Sequence, residues 1–392
     1  MQNFLISDTA KAAIYKHFDN SEAPFYVYDK EKIQSTCKSF LQIPYPLKKI
    51  HFATMANIHP TFLSIIRNEG VKVFVNSLPH LKQAQQIGYS GKDIIFTASA
   101  MNGEAMKTVF EAGAMINLDS MEQIELWDKV SGGSGYGIRC NIGNLIKPRK
   151  TRAGYFLGKA SRLGLNVNEM KALRGNHKVK GLHLYVGTDI MEIEYFMDCY
   201  AKLGEFAKLY PGLEYMDLGG GFGIEDIDLT CDFDFVTYGN LVSKYMEELS
   251  TRLGRPLTLI LEPGRILGGK AGYFACKVVD VKWRQKSQLI GVNACVSQFP
   301  RPLFYPDTAY HPLTILKGDG ITNTNSAVTT ENDGILSSIH GCSTYSRDYL
   351  AKNVQIGRVS LGDIIVFGHA GSYCASSYTE FLGFQKPEEI FL

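Results

Sequence analysis

Three things missing from this chain narrow what it can be. Its eight cysteines, at positions 37, 140, 199, 231, 276, 295, 342 and 374, include no Cys-x-x-Cys pair. Neither a zinc site nor a disulfide framework is signalled, no metal is expected, and reduced thiols in a cytoplasm are the simplest expectation. No apolar run reaches the ~18 residues needed to cross a bilayer. The start, Met1-Gln2-Asn3-Phe4-Leu5-Ile6-Ser7-Asp8, has no basic stretch leading into a long apolar core, so no secretory signal is expected. A large charge of either sign is missing too. The formal net charge is +2, which argues against a nucleic-acid or anionic-membrane partner. No repeat and no low-complexity tract is found.

What is present is ordinary in amount and ordered in pattern. Hydrophobic residues make up 45% and charged residues 20% of 392 positions. That composition suits a soluble globular protein, and the length suits two domains. From about residue 48 to 262, short apolar runs alternate with stretches able to hold a helix, such as Leu81–Ile87 and Tyr195–Leu209. The runs are 49–54, 72–76, 93–97, 115–118, 135–140, 181–187, 214–218 and 257–261. Strands alternating with helices imply parallel βαβ units, and eight of them fit a closed (β/α)8 barrel. An open doubly wound sheet is the alternative. Beyond about residue 265 the helical stretches stop. Residues 272–283 read as one long strand, followed by β-rich pieces at Gln288–Val292, Ile364–Val366 and around 368–373. A mostly antiparallel β domain is expected there, joined by the strand-like Ala23–Tyr28. Gly318–Asp333, rich in Asn, Thr and Gly, reads as a surface loop.

Several segments carry chemical possibilities, each beside a plainer one. Met216-Asp217-Leu218-Gly219-Gly220-Gly221-Phe222-Gly223 follows the seventh run. Consecutive glycines let backbone N–H groups approach an anion, and barrel phosphate sites favour the loops after strands seven and eight. The plainer reading is a structural turn. In Leu261-Glu262-Pro263-Gly264-Arg265, the carboxylate could bond a pyridine nitrogen and the arginine a phosphate. A surface ion pair would look the same. Arg301-Pro302-Leu303-Phe304-Tyr305, with Tyr310-His311, combines a fork for a carboxylate with aromatic and imidazole groups. An arginine packed on rings is the alternative. His340-Gly341-Cys342 through Asp348, and His369-Ala370-Gly371-Ser372-Tyr373, would singly pass as turns.

Together and in order, these pieces resemble the fold-III pyridoxal-phosphate (PLP) decarboxylases, the alanine-racemase-like group containing diaminopimelate and ornithine decarboxylases. The resemblance spans nearly the whole chain. It implies a TIM-like PLP-binding barrel over 30–268, with an antiparallel β-barrel domain made of 1–29 and 269–392. It also implies homodimers with shared active sites. Gly219, Gly220, Gly221 and Gly223 match the family's phosphate loop, and Glu262 and Arg265 its Glu-Pro-Gly-Arg motif. Arg139 matches the arginine ending strand five, and Thr188 stands where the family has a serine beside the phosphate. Ser161-Arg162-Leu163-Gly164 is similar to its Ser-Lys-Phe-Gly. Arg301 matches the substrate-carboxylate arginine of the diaminopimelate branch, with Tyr305 and His311 as further substrate-binding candidates. Cys342 matches the cysteine given by the second subunit, and Tyr373 the tyrosine of the closing motif. Asp348 matches a family aspartate if two extra residues are allowed after Cys342.

The departures are as informative. Lys49-Ile50-His51-Phe52-Ala53-Thr54-Met55-Ala56-Asn57 resembles the first barrel strand of the family, whose Schiff-base lysine falls on Met55. A thioether forms no imine and moves no proton. In Phe74-Val75-Asn76-Ser77-Leu78-Pro79-His80 the family's aspartate and glutamate are Phe74 and His80. In His183-Leu184-Tyr185-Val186-Gly187-Thr188 its ring-stacking histidine is Tyr185. An isolated lysine-to-methionine change would account for Met55 alone, so natural divergence is expected. The resemblance implies PLP-dependent decarboxylation of a small amino acid or conjugate, with a siderophore or antibiotic pathway as a plausible setting. PLP would be held without a covalent link, and His80, Tyr185, Cys342 or Tyr373 would supply acid–base help. The alternatives are a non-catalytic ligand-binding homologue and a lysine-independent racemase or lyase.

Overall fold

The structure is a computed structural model and describes residues 6–143, 157–158, 161–224, 232–306, 309–318 and 334–392. It divides into two compact units, one over 34–227 with 231–267, the other over 1–33 with 268–392.

The first unit is a closed barrel of eight parallel strands: β2 (Lys48–Ala53), β3 (Lys72–Val75), β4 (Ile94–Thr97), β5 (Met115–Leu118), β6 (Tyr136–Arg139), β7 (Val179–His183), β8 (Tyr215–Asp217) and β9 (Thr258–Leu261). Closure comes from β2 pairing β9 in register Lys48↔Leu259. The eight apolar runs correspond to these eight strands. The largest offset is at β7, where Leu184 and Val186 are buried beyond the strand's end and extend the apolar run into the loop.

The barrel interior is filled by Ala53, Phe74, Ile95, Tyr215 and Ile260, with Met55 and Met115 packed against them. These residues come from the adjacent strands β8, β9, β2, β3 and β4, and their side chains meet on the inner face of the closed sheet. Tyr215 needs unusual room. A Cβ on Gly181 would enter its ring, which accounts for glycine in the middle of β7. Helix starts are fixed at the strand ends. Ser77 accepts from the backbone N–H of His80 (3.4 Å) and caps the helix Leu78–Gln86. That cap places His80 in the first turn after β3.

The second unit is an eight-stranded, mostly antiparallel sheet. It contains β1 (Phe25–Tyr28), β10 (Gly272–Arg284), β11 (Ser287–Val292), β12 (Leu313–Leu316), β13 (Ile335–His340), β14 (Tyr349–Ile356), β15 (Ile364–Phe367) and β16 (Glu388–Phe391). The strand order is β12-β15-β10-β11-β13-β14, and β1 pairs β10 antiparallel and β16 parallel. The expected long strand is β10, and the Ala23–Tyr28 segment forms β1. The helix Asp8–Asn20, capped by Ser7, buries Ala10, Ile14 and Phe18 against Phe25, Val27, Tyr273 and Val366. Of the expected loop 318–333, residues 319–333 lie outside the described residues.

Candidate active site

Met55 follows β2 by two residues, at the C-terminal end of a barrel strand, where barrel active sites collect. Its side chain is half-buried against the interior cluster, and Asn76 Nδ2 donates to its sulfur at 2.7 Å. Next to it, Thr54 is fully buried, and its hydroxyl lies 3.1 Å from the Phe74 carbonyl and 2.8 Å from His80 Nδ1. If the hydroxyl proton goes to the carbonyl, Nδ1 must carry its own proton and Nε2 keeps a lone pair. Burial lowers the pKa of His80, favouring the neutral ring.

The ends of β7, β8 and β9 carry a buried polar group. His183 Nε2 meets Glu262 Oε2 at 3.2 Å, and both residues are buried. The other oxygen, Glu262 Oε1, is buried and meets no amide, hydroxyl or ring N–H among the described residues, while the Asp217 carboxyl is close enough to hydrogen-bond Glu262 once it carries a proton. Burial raises Glu262 to about 7 and lowers His183 to about 4. Asp217 is fully buried beside them; its Oδ2 accepts from Asn117 Nδ2 (3.0 Å), and Tyr215 donates its hydroxyl to Asn117 Oδ1 (3.2 Å).

The glycine loop leaves β8 with Gly219 at φ 68° and Gly221 at φ 99°, a region that favours glycine. A Cβ on Gly221 would collide with the Gly187 carbonyl, because two loops meet here. Ile190 N–H donates to Gly221 O and Gly223 N–H to Ile190 O, each at 2.9 Å. Arg265 is ion-paired with Asp189 of the same loop. Thr188 is bonded to the Tyr185 hydroxyl at 2.6 Å. The Arg139 guanidinium lies 6.0 Å from the Tyr185 ring and 3.9 Å from Asp119. Asp119 also takes Ser99 Oγ (2.6 Å) and the Gly164 N–H (2.9 Å). The barrel candidates thus fall into linked groups: Met55 with His80 through Thr54, Arg139 with Tyr185 and Thr188, and the 219–223 loop with Arg265.

In the β unit, Arg301 is buried at the start of the helix Arg301–Phe304, 5.6 Å from the Tyr305 ring. Burial lowers its pKa, opposed by the nearby Cys374, Tyr305 and Tyr373 groups. Tyr373 holds a positive φ of 56°, a strained turn for a bulky residue. Cys342 is exposed, yet partial burial of its sulfur, with Cys295 and Asp348 near, pushes the thiol up to about 11. Two candidates are engaged elsewhere. Asp348 accepts from Val296 N–H (2.8 Å) and Ser343 N–H (3.0 Å), so both its oxygens organise a loop. His311 Nδ1 is 2.8 Å from the Gly368 carbonyl and its ring packs on Phe299.

His183, Asp217, Asn117, Asp119 and Tyr215 were not among the sequence candidates. His183 and Asp217 lie inside motifs already quoted. Asn117, Asp119 and Tyr215 carry no sequence signal, because their partners are about 20 to 100 residues away.

The fold and this site define an eight-stranded parallel barrel with a buried carboxylate and a glycine-rich loop at the C-terminal ends of its strands. A family model for the pyridoxal-binding domain of pyridoxal-dependent decarboxylases matches residues 30–269. The chain belongs to that family, and its cofactor is pyridoxal phosphate. It is similar to diaminopimelate decarboxylase of Escherichia coli, 26% identical over 366 residues, covering 90% of this chain and 84% of that one. The enzyme of Deinococcus radiodurans is 27% identical over 373 residues, covering 94% and 89%. The crystal structure of Helicobacter pylori diaminopimelate decarboxylase with L-lysine superposes with a TM-score of 0.82 at 19% identity, covering 96% and 93%.

The residues present fit the cofactor at two of its three usual attachments. Glu262 Oε1 is a buried acceptor in need of a donor, as a protonated ring nitrogen would be. The glycine loop supplies a cradle with no room for a Cβ. Where the sequence resemblance expects the third attachment, an amine, residue 55 is a methionine, whose thioether forms no imine.

Proposed function

We propose that this protein is a decarboxylase acting on a small amino acid or amino-acid conjugate, with pyridoxal phosphate held without a covalent link. The observation that carries the reading is Glu262: a buried carboxylate with one oxygen clamped by His183 and the other left to accept a hydrogen bond. Bound there, the cofactor would supply an electron sink for the pair released when CO2 leaves.

The chain's own residues would do the rest. Glu262 would accept the ring N–H and keep that nitrogen protonated. The 219–223 backbone and Arg265 would bind phosphate, with Asp189 giving up part of its hold on the guanidinium. Tyr185 would cover one ring face, with its hydroxyl anchored on Thr188. His80, neutral and with Nε2 unbonded among the described residues, would take or give a proton that the family's lysine moves elsewhere. General acid–base help of this kind is typically worth ~10²–10⁴-fold. Arg301 would bind a substrate carboxylate. The protonated Cys342 thiol and Tyr373 are the further donors, and a homodimer in a cytoplasmic setting would bring Cys342 to the partner's site.

A second reading is a non-catalytic binder of amino-acid conjugates. Met55 favours it, because Asn76 and the interior cluster hold a side chain with no acid–base chemistry there. The test is CO2 release from a panel of L- and D-amino acids, including meso-diaminopimelate, with PLP added. Turnover abolished in Glu262→Gln supports the decarboxylase. Saturable ligand binding with no CO2 release supports the binder.

A further inference from the structure

The proposed chemistry leaves Asp217 unused, although the barrel holds it with care. Its Oδ1 accepts the Gly219 N–H (3.2 Å) and its Oδ2 the Asn117 amide (3.0 Å). Asn117 is fixed in turn by Tyr215, the ring for which Gly181 makes room. Asp217, Glu262 and His183 bring one ligand atom each within 4.8 Å of one another, all buried. Two carboxyl groups this close, out of water, cannot both be ionised at neutral pH.

The surrounding charges decide where the proton sits. Arg139 acts on Glu262 and favours its ionised form. His183, neutral, donates through Nε2 to the same carboxylate. Asp119, beyond Arg139, and Glu214, beside Tyr215, are acids and add no positive charge; a charged His183 would favour ionised Asp217, but burial keeps that ring neutral. The donors to Asp217 are a backbone amide and a side-chain amide, which carry no charge. Burial and the Glu262 charge push Asp217 well above the usual carboxylate range. We propose that Asp217 and Glu262 share a single proton at mildly alkaline pH, that it resides on Asp217, and that Asp217 is thereby a positioning residue that leaves Glu262 a carboxylate. The consequence for the cofactor rests on the reading of Glu262 given above; the location of the proton does not.

Isotope-edited infrared spectroscopy of the free protein tests this without any ligand. At about pH 8.5, above the range in which Glu262 titrates, a protonated-carboxyl band should shift when aspartate carries ¹³C in its side-chain carboxyl. It should stay when glutamate is labelled, and vanish in Asp217→Asn. Tyr215→Phe, which frees Asn117, should move the band without removing it, so the residue is assigned even if Asp217→Asn does not fold. At that pH, a band that follows the glutamate label, persists in Asp217→Asn, or is missing overturns the proposal. Failure of PLP to bind would remove the role of Glu262 as ring partner and leave the infrared result standing.

Discussion

Replacing Met55 by lysine restores the family's amine to a pocket that has changed around it. The new side chain would lie against Ala53, Phe74, Ile95, Tyr215 and Ile260. Asn76 now donates to the sulfur, and an ammonium cannot accept that bond, so the amide must turn to offer its oxygen. Phe74 and His80 occupy the places of the family's two acids, so no carboxylate there would pair the charge. Full burial lowers a lysine by up to about 3–5 pKa units; for a half-buried site about 1–2 units is reasonable, or ~1–3 kcal/mol at pH 7. The sign is fixed. A lysine whose folded pKa lies below its unfolded value of about 10.4 binds fewer protons when folded, so its cost is full at neutral pH and fades as pH rises towards 10.4. Urea denaturation of both proteins at about pH 7 and pH 9.5 should show a deficit for Met55→Lys that falls by about a third to a half at the higher pH. The variant should also gain a borohydride-reducible link to PLP at position 55. An equal deficit at both pH values, below ~0.5 kcal/mol, would mean the side chain reaches solvent, and the placement of residue 55 in the barrel interior would fail.

Other outcomes follow from the same contacts. Gly181→Ala forces a methyl into the Tyr215 ring and should lose about 1–3 kcal/mol or more, read by thermal unfolding. Burial raises Glu262 to about 7 from 4.5, so its contribution to stability is present below pH 4.5 and lost as pH rises through 7. Glu262→Gln should remove that ~3 kcal/mol decline from the stability–pH curve of the free protein. His51 and His183, lowered to about 3 and about 4, act oppositely: both bury neutral rings, and stability falls as pH drops below 6.5. Asp189→Asn releases Arg265 and should tighten inorganic phosphate binding several-fold by calorimetry; unchanged affinity would place the anion elsewhere.

The fold was legible because period and order carry it. Eight apolar runs separated by helical stretches correspond to the eight barrel strands, and the long run at 272–283 corresponds to β10. The helix Asp8–Asn20 carries little sequence signal, because its apolar face, Ala10, Ile14 and Phe18, is narrow. At the site, contiguous motifs were readable: the glycine loop, Glu262 with Arg265, and the change at Met55. The Tyr215–Asn117–Asp217 chain was not, because it joins residues about 100 apart through the barrel axis. The Asp189–Arg265 pair was hidden too, because it joins segments 76 residues apart that follow β7 and β9, and it qualifies the expectation that Arg265 waits for phosphate. Asp348 looked like a ligand residue in sequence; only the coordinates reveal that its oxygens are taken by Val296 and Ser343.

Under the proposed function, pyridoxal phosphate is held through Glu262 and the 219–223 loop, with Met55 in the lysine's place. The direct test is intact-mass spectrometry of the purified protein after PLP loading and borohydride treatment, paired with equilibrium dialysis. Stoichiometric binding by dialysis, lost in Gly221→Val, with no pyridoxyl mass on the treated protein, is the predicted result. A pyridoxyl group fixed stoichiometrically to a native lysine would contradict it, because another amine would then do what Met55 cannot.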